Sequence, residues 1–385
     1  MPKKTPLPWL ILVRQKSRLI VAIAGIAFAD MLMFLQLGFQ GALFDAAIKP
    51  HRSLDADLVL INPQFRTLFS VKSFSRERLY QTLGFAGVDR VSSMYISTGQ
   101  WRNPKTRESR AILVWGIEPG KPSFQIPELT NQLDRLSQFR TVLFDTAGRP
   151  EYGDIGSWIK ESGNSMDVEM SDRLLTVNGL FSMGASFAAD GNTIVSDSTF
   201  LHLFPDRQAN NIEVGLVQLQ PGGDPVKMQA TLAANLPEDV RVLTVEEFAN
   251  VEKQYWAEGT GIGFIFGLGA IMGFIVGIVI VYQILYSDVS DHLSEFATMK
   301  AMGYSNGFLV RVLLTESLIL AAVGFLPSLA LAIGLYQVTY SATLLPIFMT
   351  TDRAITVLVL TVTMCGASGV IAMQKLYQAD PADIF

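Results

Sequence analysis

From residue 260 to residue 286 the chain carries no Asp, Glu, Lys or Arg. A run that long and that apolar crosses a bilayer as a helix, because in lipid a single segment must satisfy its own backbone groups. Inside it Gly263 and Gly267, then Gly269, Gly273 and Gly277, recur every four residues. Small residues at that spacing let another helix approach closely. Three more stretches are nearly as apolar: 19–40, 308–336 and 354–373. With 49% hydrophobic and only 17% charged residues, and the apolar ones clustered, the chain reads as a membrane protein.

The first 18 residues hold Lys3, Lys4, Arg14, Lys16 and Arg18 and no acid. The positive-inside rule puts that end in the cytoplasm. Residues 9–13, with Trp9, fit a short interfacial helix. Ala27-Phe28-Ala29 offers a signal-peptidase pattern, but the apolar stretch continues through Leu35, too far for a cleavable signal. Four spans follow: 19–40, 259–286, 308–336 and 354–373. They leave 287–307 and the tail 374–385 in the cytoplasm and 41–258 and 337–353 outside. Asp30 lies mid-span, where a carboxylate is costly. It reads as a proton or substrate site or, preferably, as a contact inside the bundle, since Gln36 and Gln40 show that this helix meets other polar partners. Glu316 sits within about two turns of the cytoplasmic end of the third span and snorkels or pairs with a bundle partner; Pro327 is expected to kink that helix.

Between residues 41 and 258 hydrophobicity drops and an α+β pattern takes over. Residues 55–63 read as a strand, 75–86 as a helix, and 88–101 and 109–118 as strands joined by a turn at Asn103-Pro104. Near the end, 211–220, 224–236 and 240–248 repeat strand, helix, strand. The two halves, 50–120 and 209–248, suggest a ferredoxin-like unit split by an inserted subdomain at 121–208. Residues 246–259 look helical and polar and run into the second span, as a continuous stalk would.

The connection after that span is YSDVSDHLSEFATMKAMGYS. On a 3.6-residue period Val289, Leu293, Phe296 and Ala297 share one side, with Lys300 beside them. Asp288 and Asp291 suit a first turn, Lys300 a last turn, and Gly303 a stop. Amphipathicity alone would lay such a helix on the lipid surface. However, SEFATMKAMGYS followed by LLTES resembles the pattern after the second membrane helix of MacB/FtsX-type ABC permeases. That resemblance implies that the segment is a coupling helix docking into a cytoplasmic ATPase. EKQYW…GIGFIFGLG…VGIVIVYQILYSDVSDHL and the opening ILVRQKSRLIVAIAGIAFADMLMFLQLGFQ are similar to the DevC permeases of cyanobacterial ABC exporters. The layout of 41–258 likewise resembles the two-lobed extracytoplasmic domain of MacB, and the ADP-containing tail resembles the tails of these permeases.

Several chemistries are excluded by what the chain lacks. A P-loop needs G-x-x-x-x-G-K-[ST]; the nearest string, 116–122, has the wrong spacing and Pro122 where the hydroxyl belongs. The chain is therefore expected to be no enzyme, and any ATP and Mg would be bound by a separate partner. Cys365 is the single cysteine, and His51, His202 and His292 share no ligand spacing, so no metal site is expected. A net charge of −5 without a basic patch argues against nucleic acid. The resemblance implies a homodimeric permease in the inner membrane. It would pass ATP-driven motion to its outer domain and drive export, in DevC relatives of glycolipid, through a periplasmic membrane-fusion adaptor and a TolC-like outer-membrane channel. Two alternatives share the architecture: an FtsX-like mechanotransmitter that regulates a wall hydrolase, and a Lol-type lipoprotein-extracting permease.

Overall fold

The computed structural model describes residues 16–161, 163, 165–186, 189–343 and 345–378. The proposed interfacial helix at 9–13, the first three basic residues and the tail from 379 onward lie outside them. The chain divides into two units, 1–42 with 261–385 and 43–260. Helix α1, Lys16–Arg52, begins in the first unit and ends in the second, extending a dozen residues beyond the expected span.

The second unit is organised by β1 (Leu58–Ile61), an unbroken LVLI in which every side chain is buried. Leu58 and Leu60 enter one core and Val59 and Ile61 the other. A strand covered on both faces has no solvent side, which is why its sequence is continuous rather than alternating. Helix α2 (Arg76–Gln81) follows, its first turn capped by the Ser75 hydroxyl, and leads to the 15-residue strand β2 (Val88–Arg102). Next come β3 (Ser109–Ile117), β4 (Thr141–Asp145), β5 (Met166–Met170), β6 (Arg173–Phe181) and β7 (Asn192–Ser196). The unit closes with β8 (Val214–Leu219), α3 (Pro225–Asn235), β9 (Arg241–Thr244) and α4 (Val245–Gln254). Asp224 caps α3 ahead of Pro225, and Thr244 with Glu247 forms a reciprocal capping box on α4.

These nine strands form one sheet in the order β9-β1-β8-β2-β3-β7-β4-β6-β5. The first four are mutually antiparallel and come from the two strand–helix–strand segments, an arrangement of the ferredoxin type. The remainder differs from the sequence reading. Strand β3, counted there with the first half, belongs to the region it was separated from: it pairs in parallel with β7, Leu113 opposite Asn192. The far end of β2 also returns to pair with β5, Trp101 opposite Met170 and Arg102 opposite Glu169. Strands β2-β3-β7-β4-β6-β5 therefore close into a ring, and 121–208 is its wall rather than a separate subdomain. The length of β2 makes this possible, since residues 88–94 pair with β8 and 94–102 with β3.

Among the described residues four helices are long and apolar enough to cross a membrane: α1, α5 (Ile262–Asp291), α7 (Asn306–Thr343) and α8 (Thr351–Gln378). The α/β unit is inserted between the first and second of them, as expected. A short helix, α6 (Leu293–Ala301), joins α5 to α7. Pro327 lies within α7, which is assigned as helix throughout. The continuous stalk expected at 246–259 is not present. After α4 the backbone widens to a π turn at Tyr255–Gly259, and Gly261 then adopts φ +70° before α5 starts. Left-handed backbone is open to glycine and costly for most other residues, so Gly261 is where the helix can stop.

Candidate functional site

The second unit contributes a strong electrostatic cluster on its sheet. Glu118 accepts from Arg76 Nη2 at 2.9 Å, from the Ser93 backbone at 2.9 Å and hydroxyl at 2.6 Å, and pairs with Lys121. Burial acts to raise its carboxyl, but these donors outweigh it and hold the group at about 2. At the end of α4, buried Glu252 takes bonds from Thr67 Oγ1 (2.7 Å), Leu68 N (2.9 Å) and Trp256 Nε1 (2.8 Å), and burial pushes its carboxyl up.

In the membrane unit, Asp30 is fully buried and accepts from Thr361 Oγ1 at 2.7 Å and Ser328 Oγ at 3.0 Å. One carboxyl thus joins α1, α7 and α8. Neither hydroxyl was marked in the sequence, because Ser and Thr in apolar helices usually bond to their own backbone, as both also do here. The glycines of α5 divide. A Cβ on Gly269 would meet Gln36 Cδ at 2.5 Å, one on Gly273 Met33 Cγ at 3.2 Å, and one on Gly277 Met364 and, at 3.0 Å, Ala29. These three seat α5 against its own neighbours. Gly267 faces open space, and the Gly263 carbonyl accepts from Gln40 Nε2 at 3.4 Å.

The α5–α6–α7 hairpin departs most from the sequence reading. Val289, Phe296 and Ala297, read as the outward docking stripe, are buried, with Leu293 and Lys300 partly so. Val289 and Phe296 pack with Leu309 and Leu313 of α7 and Met373 of α8. The helical period identified an apolar face correctly but assigned it to a partner; the bases of α7 and α8 take it instead. What the hairpin shows to solvent is Ser294, Glu295, Thr298 and Ala301, followed by Met302, Tyr304 and Phe308. Met302 is 65% exposed and Tyr304 48%, and the Tyr304 and Phe308 rings lie 4.9 Å apart. Beside this tip Arg18 bonds to Asp291 and stands 3.6 Å from Asp288, while His292 Nδ1 lies 3.3 Å from Glu295. No group of three or more His, Cys, Asp or Glu among the described residues is arranged to hold a metal.

Residues 264–381, which contain this hairpin and the last three spans, match the model of the FtsX-like permease C-terminal family. This part of the chain is similar to the permease domain of that family. With its four apolar helices, the protein is a multi-pass membrane protein. Two solved structures are similar to the other unit. The periplasmic region of MacB from Actinobacillus actinomycetemcomitans shares 13% identity at a TM-score of 0.37, over 51% of this chain and 92% of that one. The extracellular domain of the noncanonic ABC-type transporter YknZ from Gram-positive bacteria shares 18% at a TM-score of 0.33, over 49% and 99%. No curated protein sequence matched the chain.

Proposed function

We propose that this protein is the permease subunit of an ABC-type export complex, working as a homodimer with a separate cytoplasmic ATPase that binds the ATP and Mg. The observation that carries the reading is the match of residues 264–381 to the FtsX-like permease family, together with an exposed apolar tip between α6 and the first turn of α7. Its N-terminus and the tip face the cytoplasm, in keeping with Lys16, Arg18 and the other N-terminal basic residues. The ATPase docks on Met302, Tyr304 and Phe308 rather than on the buried Phe296 side. Motion delivered there reaches the α/β unit through α1 and α5, and drives export through a periplasmic adaptor and an outer-membrane channel; resemblance to DevC favours a glycolipid cargo.

The test is co-purification of the cognate ATPase on tagged permease. Tyr304→Ala removes an exposed aromatic anchor, expected to cost about 2 kcal/mol, roughly thirtyfold in affinity. Permease abundance should stay at the wild-type level. Undiminished ATPase recovery near the dissociation constant would remove the tip from the interface. Orientation is checked with cysteines at Ser157 and Ser305. An impermeant maleimide should label only the first in cells with a permeabilised outer membrane; the reverse pattern would invert the topology.

A further inference from the structure

The hydroxyls around Asp30 have fewer hydrogens than the approaches they make. Thr361 Oγ1 lies 2.7 Å from Asp30 Oδ1 and also 2.7 Å from the Val357 carbonyl of its own helix. Ser328 Oγ lies 3.0 Å from Asp30 Oδ2 but 2.6 Å from the Phe325 carbonyl. Each hydroxyl has one hydrogen to donate. The shorter approach is the stronger claim on that of Ser328, which therefore goes to its own helix and turns a lone pair toward Oδ2. Two oxygens at 3.0 Å with no hydrogen between them repel, and the missing hydrogen can come from Asp30 itself.

Asp30, Ser328 and Thr361 are all 0% exposed, and no helix brings a cation to them. Distances along each helix follow from a rise of about 1.5 Å per residue. On α1, Arg18 and Lys16 lie about 18 and 21 Å from Asp30 on one side, and Asp45, Lys49, His51 and Arg52 lie about 20 Å or more on the other. Helix α5 meets α1 at this level through Gly273 and Gly277, which approach Ala29. Its titratable groups are Tyr282, Tyr286, Asp288 and Asp291, all nearer the α6 end, where His292, Glu295 and Lys300 also lie. Helix α7 has Arg311 and Glu316 about 25 and 18 Å before Ser328, and Tyr336 and Tyr340 after it. On α8, Asp352 and Arg353 stand about 12 Å or more from Thr361, Lys375 and Tyr377 about 20 Å or more beyond it, and buried Cys365 one turn away. Arg353 is engaged by the Phe348 carbonyl at 2.6 Å and lies over the Tyr336 ring. A carboxylate that is buried without a cation is costly, and the neutral acid is the form that fits.

We infer that Asp30 is a proton-binding site inside the helix bundle: its carboxyl keeps one proton on Oδ2, donates it to Ser328 Oγ and receives the Thr361 hydroxyl on Oδ1. Donor and acceptor at the Ser328 approach are then the reverse of those for an ionised Asp30. The hydrogen bonds run in one direction, from Thr361 of α8 through Asp30 of α1 to Ser328 and the Phe325 carbonyl of α7. Loss of the proton to solvent sets an anion against a lone pair and loosens α1 from α7. The site does not depend on what the permease exports or on where an ATPase docks.

The experiment uses the purified full-length protein in lipid nanodiscs, in choline chloride at about pH 7, and compares its infrared spectrum with that of Asp30→Asn. Buried Glu213, Glu252, Asp288 and Glu316 are common to both proteins and cancel in the difference. A deuterium-sensitive carboxylic acid band should be present in the wild type and lost in the variant. A difference spectrum that shows only carboxylate bands would overturn the assignment. Ser328→Ala serves where Asp30→Asn folds poorly: it keeps the acid but removes its acceptor, so the acid band should move to higher frequency. A Ser328→Ala spectrum that keeps the wild-type band in place would equally overturn it. Heating at a series of values from about pH 5 to pH 9 gives a second readout. The folded state holds a proton that the unfolded chain has released, so this contribution to stability falls as pH rises, by up to tenfold in the folding equilibrium per pH unit. Asp30→Asn carries a permanent donor of the same shape; it should approach the wild type at low pH and exceed it at high pH. Equal slopes, or an Asn variant that falls further below the wild type as pH rises, would mean that the anion is the native form. Replacing choline by sodium or potassium tests the other ligand: loss of the acid band in the wild type would make it a metal cation and refute the proton.

Discussion

Phe296→Ala separates a structural role from a docking role with opposite signatures. The ring is 2% exposed and belongs to a small cluster with Val289, Leu309, Leu313 and Met373, so truncation leaves a hole at the joint of α5, α6, α7 and α8. Phe-to-Ala changes in cores cost about 3–5 kcal/mol. Met299 and Met373 share the cluster, and unbranched methionine fills gaps readily, which places the expected cost near the lower end, about 3 kcal/mol. That is a factor of roughly 150 in the folding equilibrium. Phe296→Leu keeps most of the volume and should cost about 1 kcal/mol. The assay is permease abundance in membranes, together with the fraction of solubilised protein that stays monodisperse after heating. ATPase recovery is then expressed per mole of surviving permease. The expected order of stability is wild type, Leu, Ala, with recovery per mole nearly unchanged. An Ala variant of wild-type abundance and heat resistance that recovers less ATPase would refute the buried role and restore this face to the partner.

Two further outcomes follow from the packing and the charges. Gly277→Val drives a branched side chain into Met364 and Ala29 and should destabilise the helix bundle by about 1–3 kcal/mol in a thermal scan, whereas Gly267→Ala, facing open space, should be tolerated. Glu118, held at about 2 against an ordinary value of 4.5, supplies stability that is present above about pH 4.5 and is lost as pH falls toward 2. About 3 kcal/mol is at stake. Glu118→Gln should therefore weaken the α/β unit at neutral pH, by tryptophan fluorescence, and flatten its acid limb; an unchanged acid limb would contradict the assigned hydrogen bonds.

The apolar run at 260–286 and its three companions made the membrane helices legible, because lipid leaves one solution for the backbone. The strand–helix–strand halves were legible from period and turn residues. The closure of the ring was not: the pairing of Trp101 with Met170 joins positions far apart in sequence, and neither residue's neighbourhood encodes its partner. The face of α6 shows a related limit. Periodicity located Phe296 on an apolar side, yet the residues that cover it, Leu309, Leu313 and Met373, sit on helices whose own periods are masked by all-round hydrophobicity. Asp288 was read as a residue suited to the start of a helix, which hid its burial beside Arg18 of α1. Glu316 itself stood out because a charge in an apolar span is rare.

The placement of β1 bears on how the α/β unit is made. Among the described residues its sheet partners are β8 and β9, with Leu58 opposite Val217 on one side and Thr244 on the other. A ribosome adding about 5–20 residues per second reaches those partners roughly 8–30 s after β1 has emerged. For that interval an LVLI segment built to be covered on both faces has both edges and both faces open. The ring strands can pair among themselves while β1 waits, so the first half of the domain is completed last. Emergence of β8 and β9, rather than of the first strand, sets the time at which this unit can fold, and a chain cut between β7 and β8 would keep its most sheet-prone segment unpaired.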